Sequence, residues 1–142
     1  MALSYFADTA FWIALFRKRD QFHDAALSWQ RFLLGSGAVT VTTEAVCWEW
    51  MNAMSGVGTR TVAAQAFDRI LRDPRVEVIP HGPGLSGEAI RLFTARSDKQ
   101  WSLTDCASFA VMAQRDIREA LTADAHFEQA GFRSLLLRHP QE

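Results

Sequence analysis

Four carboxylates in this 142-residue chain stand where chemistry could use them: Asp8, Glu49, Asp105 and Asp124. Asp8 closes the short apolar run Leu3 to Ala7, and Asp124 comes just after the run Glu119 to Thr122. Asp105 falls in the first turn of a predicted helix. Glu49 lies between Trp48 and Trp50, inside a largely apolar helical segment. Taken singly, three of them have a structural explanation. Asp8 and Asp124 precede helices and suit the N-cap position, while Asp105 completes a capping box with Ser102. Glu49 has no such explanation. Glu44, its nearest competitor, sits in a first helical turn, where the macrodipole already favours an acid. Carboxylates brought together repel, so one of them must stay protonated unless a cation intervenes. Oxygen ligands without histidine or cysteine select a hard ion, Mg²⁺ or Mn²⁺, over zinc. Such an ion acidifies a bound water and neutralises a phosphate, which points to in-line attack on phosphorus.

The elements that must carry these acids alternate between strand and helix. Strands are predicted at Leu3 to Ala7, Val39 to Thr42, Val76 to Ile79, Glu119 to Thr122 and Ser134 to Leu137. Helices are predicted at 10–16, 23–34 (stopped by Gly35 and Gly37), 44–54 (capped by Thr43), 61–71, 86–96 (capped by Ser86), 102–114 and 125–130. Strands separated by helices need crossover connections, so the fold class is α/β, a single domain with a mainly parallel central sheet flanked by helices. In such sheets functional groups gather beyond the carboxyl ends of the strands. All four acids can reach that edge.

On these residues the chain resembles the PIN-domain ribonucleases, and most of all the toxin component of VapBC-type toxin–antitoxin pairs. The resemblance runs from FADTAFWIALF through TTEAVCWEWMN to SDKQWSLTDCASFAVM and ALTADAHFEQAGF. It implies a PIN-like domain over residues 1–142 whose Asp8, Glu49, Asp105 and Asp124 bind Mg²⁺ or Mn²⁺ and cut RNA with a metal-activated water. Asp98 matches a commonly acidic position and is carried as accessory, together with Thr9 and Ser102. The resemblance also implies two protein partners, a second copy of the chain and an antitoxin that occludes the acidic site.

Other signals are weaker. Arg17, Lys18 and Arg19 close the first helix, where they suit its C-terminus and could also meet RNA phosphate. The basic residues are thirteen arginines and two lysines. Trp12, Trp29 and the second and fourth helices are expected to offer an apolar surface to a partner. His23, His81, His126 and His139 show no ligand spacing, and His126, close to Asp124, is read first as a surface residue. Gly82 to Gly87 spells a formal G-x-G-x-x-G, but Pro83 removes a cradling N–H and no ribose-binding acid follows on a strand. A net charge of −1 gives no global field for a polyanion, so RNA must be held by local charge. Two distant cysteines fit neither a disulfide framework nor a metal knuckle, and no signal or membrane-spanning pattern stands out, so a cytoplasmic address is expected. A ribonuclease-H-like fold would open with antiparallel strands. A haloacid-dehalogenase-type phosphotransferase would want an acid at position 10, which is alanine. A rival of another class is a non-catalytic binding module that keeps the acids as caps.

Overall fold

The computed structural model describes residues 3–140. Its element order is β1 (Ser4–Ala7), α1 (Thr9–Phe16), α2 (His23–Ser36), β2 (Val39–Thr43), α3 (Glu44–Ala53), α4 (Arg60–Arg72), β3 (Val76–Ile79), α5 (Pro83–Ala95), α6 (Leu103–Gln114), β4 (Glu119–Leu121), α7 (Ala125–Gln129) and β5 (Arg133–Ser134). The five strands form one sheet in the order β3-β2-β1-β4-β5, and every pairing is parallel. β1 therefore sits in the middle. The chain first builds outward from it through β2 to β3, then returns across the sheet to lay β4 on its other side. A ligand crevice is expected at such a reversal, beyond the carboxyl ends of β1 and β4.

The core explains why these segments take these places. Phe6 on β1, Phe127 on α7 and Phe109 on α6 are all buried. Phe109 meets Phe127 edge-on at 4.9 Å and Trp101 at 5.0 Å, so one aromatic cluster ties together the elements that carry Asp105 and Asp124. α1 packs against α2 and α3, and α5 against α6. Among the described residues no helix is long and apolar enough to cross a membrane.

Element boundaries differ from expectation where local chemistry outweighs pattern. α5 starts at Pro83 rather than at a Ser86 cap, because proline suits the first helical turn and Gly82 takes the cap. α2 runs through Gly35 to Ser36 and stops at Gly37, whose φ of +69° is the left-handed conformation that glycine adopts cheaply. The last strand is Arg133–Ser134 and not 134–137: the Leu135 and Leu136 amides still donate to Ala120 O and Thr122 O, but a turn closed by the Arg138 amide on Leu135 O ends the run. Leu3 lies outside β1 and is exposed. The capping box at Ser102 and Asp105 and the Thr43 cap of α3 both form.

Candidate active site

Asp8 lies directly beyond the carboxyl end of β1 and is 5% exposed. Its position is fixed from both sides. The Thr42 hydroxyl donates to the Ala7 carbonyl at 2.8 Å and itself accepts from the Trp12 indole N–H. On the other side the Asp8 amide donates to Leu121 O, and the Thr122 hydroxyl donates to Asp8 Oδ2 at 2.9 Å. Asp8 occupies the N-cap position of α1, yet its side chain makes no cap hydrogen bond. A carboxylate so placed is expensive. Burial pushes the Asp8 carboxyl up to about 7, against the pull of the Thr9 amide and the Thr122 hydroxyl, and the charges of Asp105 and Glu49 push it further the same way. The charges of Asp105 and Glu49 thus both reach Asp8 across the site.

Asp105 and Asp124 do cap their helices, and they also face each other. Asp105 is buried, and its Oδ2 accepts from the Ser102 amide at 3.1 Å. Asp124 Oδ1 accepts from the His126 amide at 2.9 Å, and the Asp124 amide donates to the Thr122 hydroxyl at 3.1 Å. One threonine therefore links Asp8 to Asp124. Glu49 is solvent-exposed on α3 and accepts from the Thr9 hydroxyl at 2.6 Å. Burial thus falls from Asp8 and Asp105 to Asp124 and Glu49 at the rim. Beside Glu49 opens a cleft of about 420 Å³, lined by Trp48, Asn52, His81 and Thr104, in which Trp48 is 66% exposed.

His126 is half-buried and turned into the site, where the sequence suggested first a plain surface histidine. Its Nδ1 lies 3.1 Å from Asp105 Oδ2 and 3.5 Å from Asp124 Oδ1. The three residues offer ligand atoms all within 4.8 Å of one another, a set able to hold a metal ion. The signal was the D-x-H step, which puts the ring in the same helical turn as Asp124. The T-x-D step likewise carried Thr122, whose bridging role spacing alone does not reveal.

Other expected residues have other partners. Asp98 is engaged by Arg96 in a two-pronged ion pair at 3.0 Å, on a loop where Arg96 also covers the Trp101 ring. Ser102 spends its hydroxyl on the Asp105 amide. Arg17 donates to Ala53 O at 2.8 Å, closing α3 rather than its own helix, while Lys18 and Arg19 are exposed. Trp29 is buried and donates to Leu135 O and Arg138 O, so it offers no partner surface. The second and fourth helices do flank a groove of about 310 Å³, lined by Trp12, Leu34, Val62 and Ile70 among others.

The acids suit a divalent cation by their chemistry: a buried carboxyl, costly to ionise, is relieved by a cation held with Asp105 and its neighbours. Comparison with known proteins agrees with this architecture. Residues 5–133 match the PIN domain family. The chain is 31% identical over 128 residues to the 23S rRNA-specific endonuclease VapC20 of Mycobacterium tuberculosis, covering 89% of this chain and 94% of that protein. The crystal structure of the Mycobacterium tuberculosis VapC20 toxin, which cleaves the sarcin–ricin loop, superimposes with a TM-score of 0.80 at 27% identity. That match covers 92% of this chain and 98% of the other.

Proposed function

Because this chain belongs to the PIN-domain family, we propose that it is an endoribonuclease of the toxin class, cutting RNA phosphodiesters at the acidic site with Mg²⁺ or Mn²⁺. The observation that carries this reading is the convergence at one sheet edge of Asp8, Glu49, Asp105 and Asp124 from four separate elements, with the Asp8 carboxyl raised chiefly by burial and further by the charges of Asp105 and Glu49. A bound ion would supply charge neutralisation at the phosphate and a more acidic water. Asp8 and Asp105, the two buried acids, would hold it, with Asp124 and Glu49 completing the set from the rim. Thr122 keeps the Asp8 and Asp124 loops in register, and Thr9 aims the Glu49 carboxylate. The cleft beside Glu49 gives a nucleotide room next to the reacting phosphate, with the Trp48 indole available for a base to stack on. Lys18 and Arg19 supply phosphate contacts on the loop after α1.

The largely apolar groove between α2 and α4 would take one segment of an antitoxin, and since it opens at the amino ends of β2 and β3, a second segment would have to cover the acidic site. A second copy of the chain is the other expected partner. The test is cleavage of a sarcin–ricin stem-loop RNA and of an unrelated structured RNA, with Mg²⁺, with Mn²⁺ and with chelator. Wild type, Asp8→Asn and Asp105→Asn are compared. Metal-dependent cutting by wild type alone upholds the reading. Equal cutting by all three places the activity elsewhere. If wild type neither cuts nor binds metal, the binding-module reading takes its place.

A further inference from the structure

The acids alone would make an all-oxygen centre, but the imidazole of His126 turns its Nδ1 toward both Asp105 and Asp124. We propose that His126 is a nitrogen ligand of the metal centre, sharing one face of the ion with Asp105 and Asp124, and that it tilts the centre toward Mn²⁺ over Mg²⁺. This rests on the reading of the acids as a metal site.

The two distances from the ring approach those of such a face. Donors about 2.1 Å from an octahedral ion stand about 3.0 Å from their neighbours. Nδ1 already lies 3.1 Å from Asp105 Oδ2 and 3.5 Å from Asp124 Oδ1. The Asp124 carboxylate has to close on both the ring and Asp105, whose ligand atoms lie within 4.8 Å of its own, and it is the freer of the two acids, 39% exposed against 11%. In the metal-free chain the ring is held in this pose by its contact with Asp105 Oδ2, and not by the helix cap. The α7 cap is made by the His126 backbone N–H on Asp124 Oδ1, which any residue at 126 could supply. Without an ion, Nδ1–H donates to Asp105. With one, the hydrogen moves to Nε2 and the Nδ1 lone pair faces the metal. Selectivity follows from the donor atom. Mg²⁺ holds its waters and prefers oxygen, whereas Mn²⁺ accepts imidazole nitrogen at less cost.

The test uses the full chain and the metals alone. Mn²⁺-loaded wild type, His126→Ala and His126→Asn are studied by pulsed electron paramagnetic resonance, and Mn²⁺ and Mg²⁺ affinities by calorimetry. Wild type is expected to show nitrogen modulation from one directly bound imidazole, absent in both variants. Mn²⁺ affinity should fall about tenfold or more in His126→Ala, while Mg²⁺ affinity changes about twofold or less. His126→Asn, which offers an amide oxygen near the place of Nδ1, should bring the two affinities closer together than in wild type. Mn²⁺ bound to wild type without nitrogen modulation overturns the proposal and leaves the acidic metal centre standing, with His126 merely orienting Asp105. An unchanged Mn²⁺-to-Mg²⁺ ratio in His126→Ala does the same. If wild type binds neither ion, the proposal and the metal-site reading fall together. His126 is half-buried on a short helix, and matching metal-free unfolding curves establish that the variants fold; the wild-type spectrum decides the question without them.

Discussion

Asp8→Asn should make the metal-free protein more stable at pH 8 while removing its metal-dependent activity. The Asp8 carboxyl is held at about 7 in the fold, chiefly by burial, against 3.8 for the free group. Between those values the folded chain keeps a proton that the unfolded chain has released. Stability from this group is therefore complete below about pH 3.8 and is lost as pH rises through about 7. At about 1.4 kcal/mol per pH unit, the whole loss approaches about 4 kcal/mol. Asparagine has the same size, can accept the Thr122 hydroxyl and never ionises. Wild type and variant should thus be nearly equal at pH 4, with the variant ahead by as much as about 4 kcal/mol at pH 8, less whatever its new amide N–H₂ costs for want of an acceptor. Urea unfolding in chelator from pH 4 to 8 reads this difference directly. Saturating Mn²⁺ should close this gap, since a ligand at a hundred times its Kd adds about 2.7 kcal/mol, and at a thousand times about 4.1 kcal/mol, to a protein that binds it. A difference between the two proteins that is the same at pH 4 and pH 8 would refute the reasoning. So would a variant less stable than wild type at pH 8 without metal.

Thr122→Val strips the shared hydroxyl from a buried site, so unfolding free energy should drop by about 2–3 kcal/mol in urea titrations and cleavage should fall at least about tenfold. Thr9→Val removes only a rim hydrogen bond to the exposed Glu49. Its stability should stay within about 0.5 kcal/mol of wild type, with a loss of activity far smaller than that of Asp8→Asn in the same assay. Lys18→Ala with Arg19→Ala should flatten the salt dependence of single-stranded RNA binding by about 0.7 in log–log slope for each phosphate left without its cation, with Mn²⁺ affinity unchanged by calorimetry. Cys47 and Cys106 are buried, with the Cys47 thiol pushed up to about 11 and that of Cys106 raised, again by burial. A thiol reagent at pH 8 should leave both untouched in the native protein and label both in urea.

The sequence carried the strand–helix alternation because buried parallel strands such as Tyr5 to Ala7 and Val41 to Thr43 are short apolar or β-branched runs bounded by clear caps. It also placed the four acids near one edge, since Asp8 and Asp124 follow strands and the edge of a parallel sheet is a single place. Spacing could not show how those acids are held. Thr122 and Thr42 act through hydroxyls directed across strands, and that direction depends on register: Phe6 opposite Ala120, Ala7 opposite Leu121. Nor could it show that His126 turns inward while Asp98 turns to Arg96, because both are polar residues beside an acidic motif and only the packed loops distinguish them. Tryptophan count suggested partner surfaces at Trp12 and Trp29. The outward-facing ring is Trp48, whose neighbours at 47 and 50 fill the buried face of α3.

The return of the chain to pair β4 with β1 has a consequence during synthesis. Asp8 is made 114 residues before Thr122, and Asp124 and His126 follow later still. A nascent chain that has not yet delivered β4 lacks the hydroxyl that holds Asp8, the Asp124 carboxylate and the neighbouring imidazole, and β1 has an unpaired edge. The four acids cannot come together in any fragment that ends before Asp124. On the function proposed above, a chain that would cut RNA has no complete site until β4 and the loop after it have been made and paired with β1.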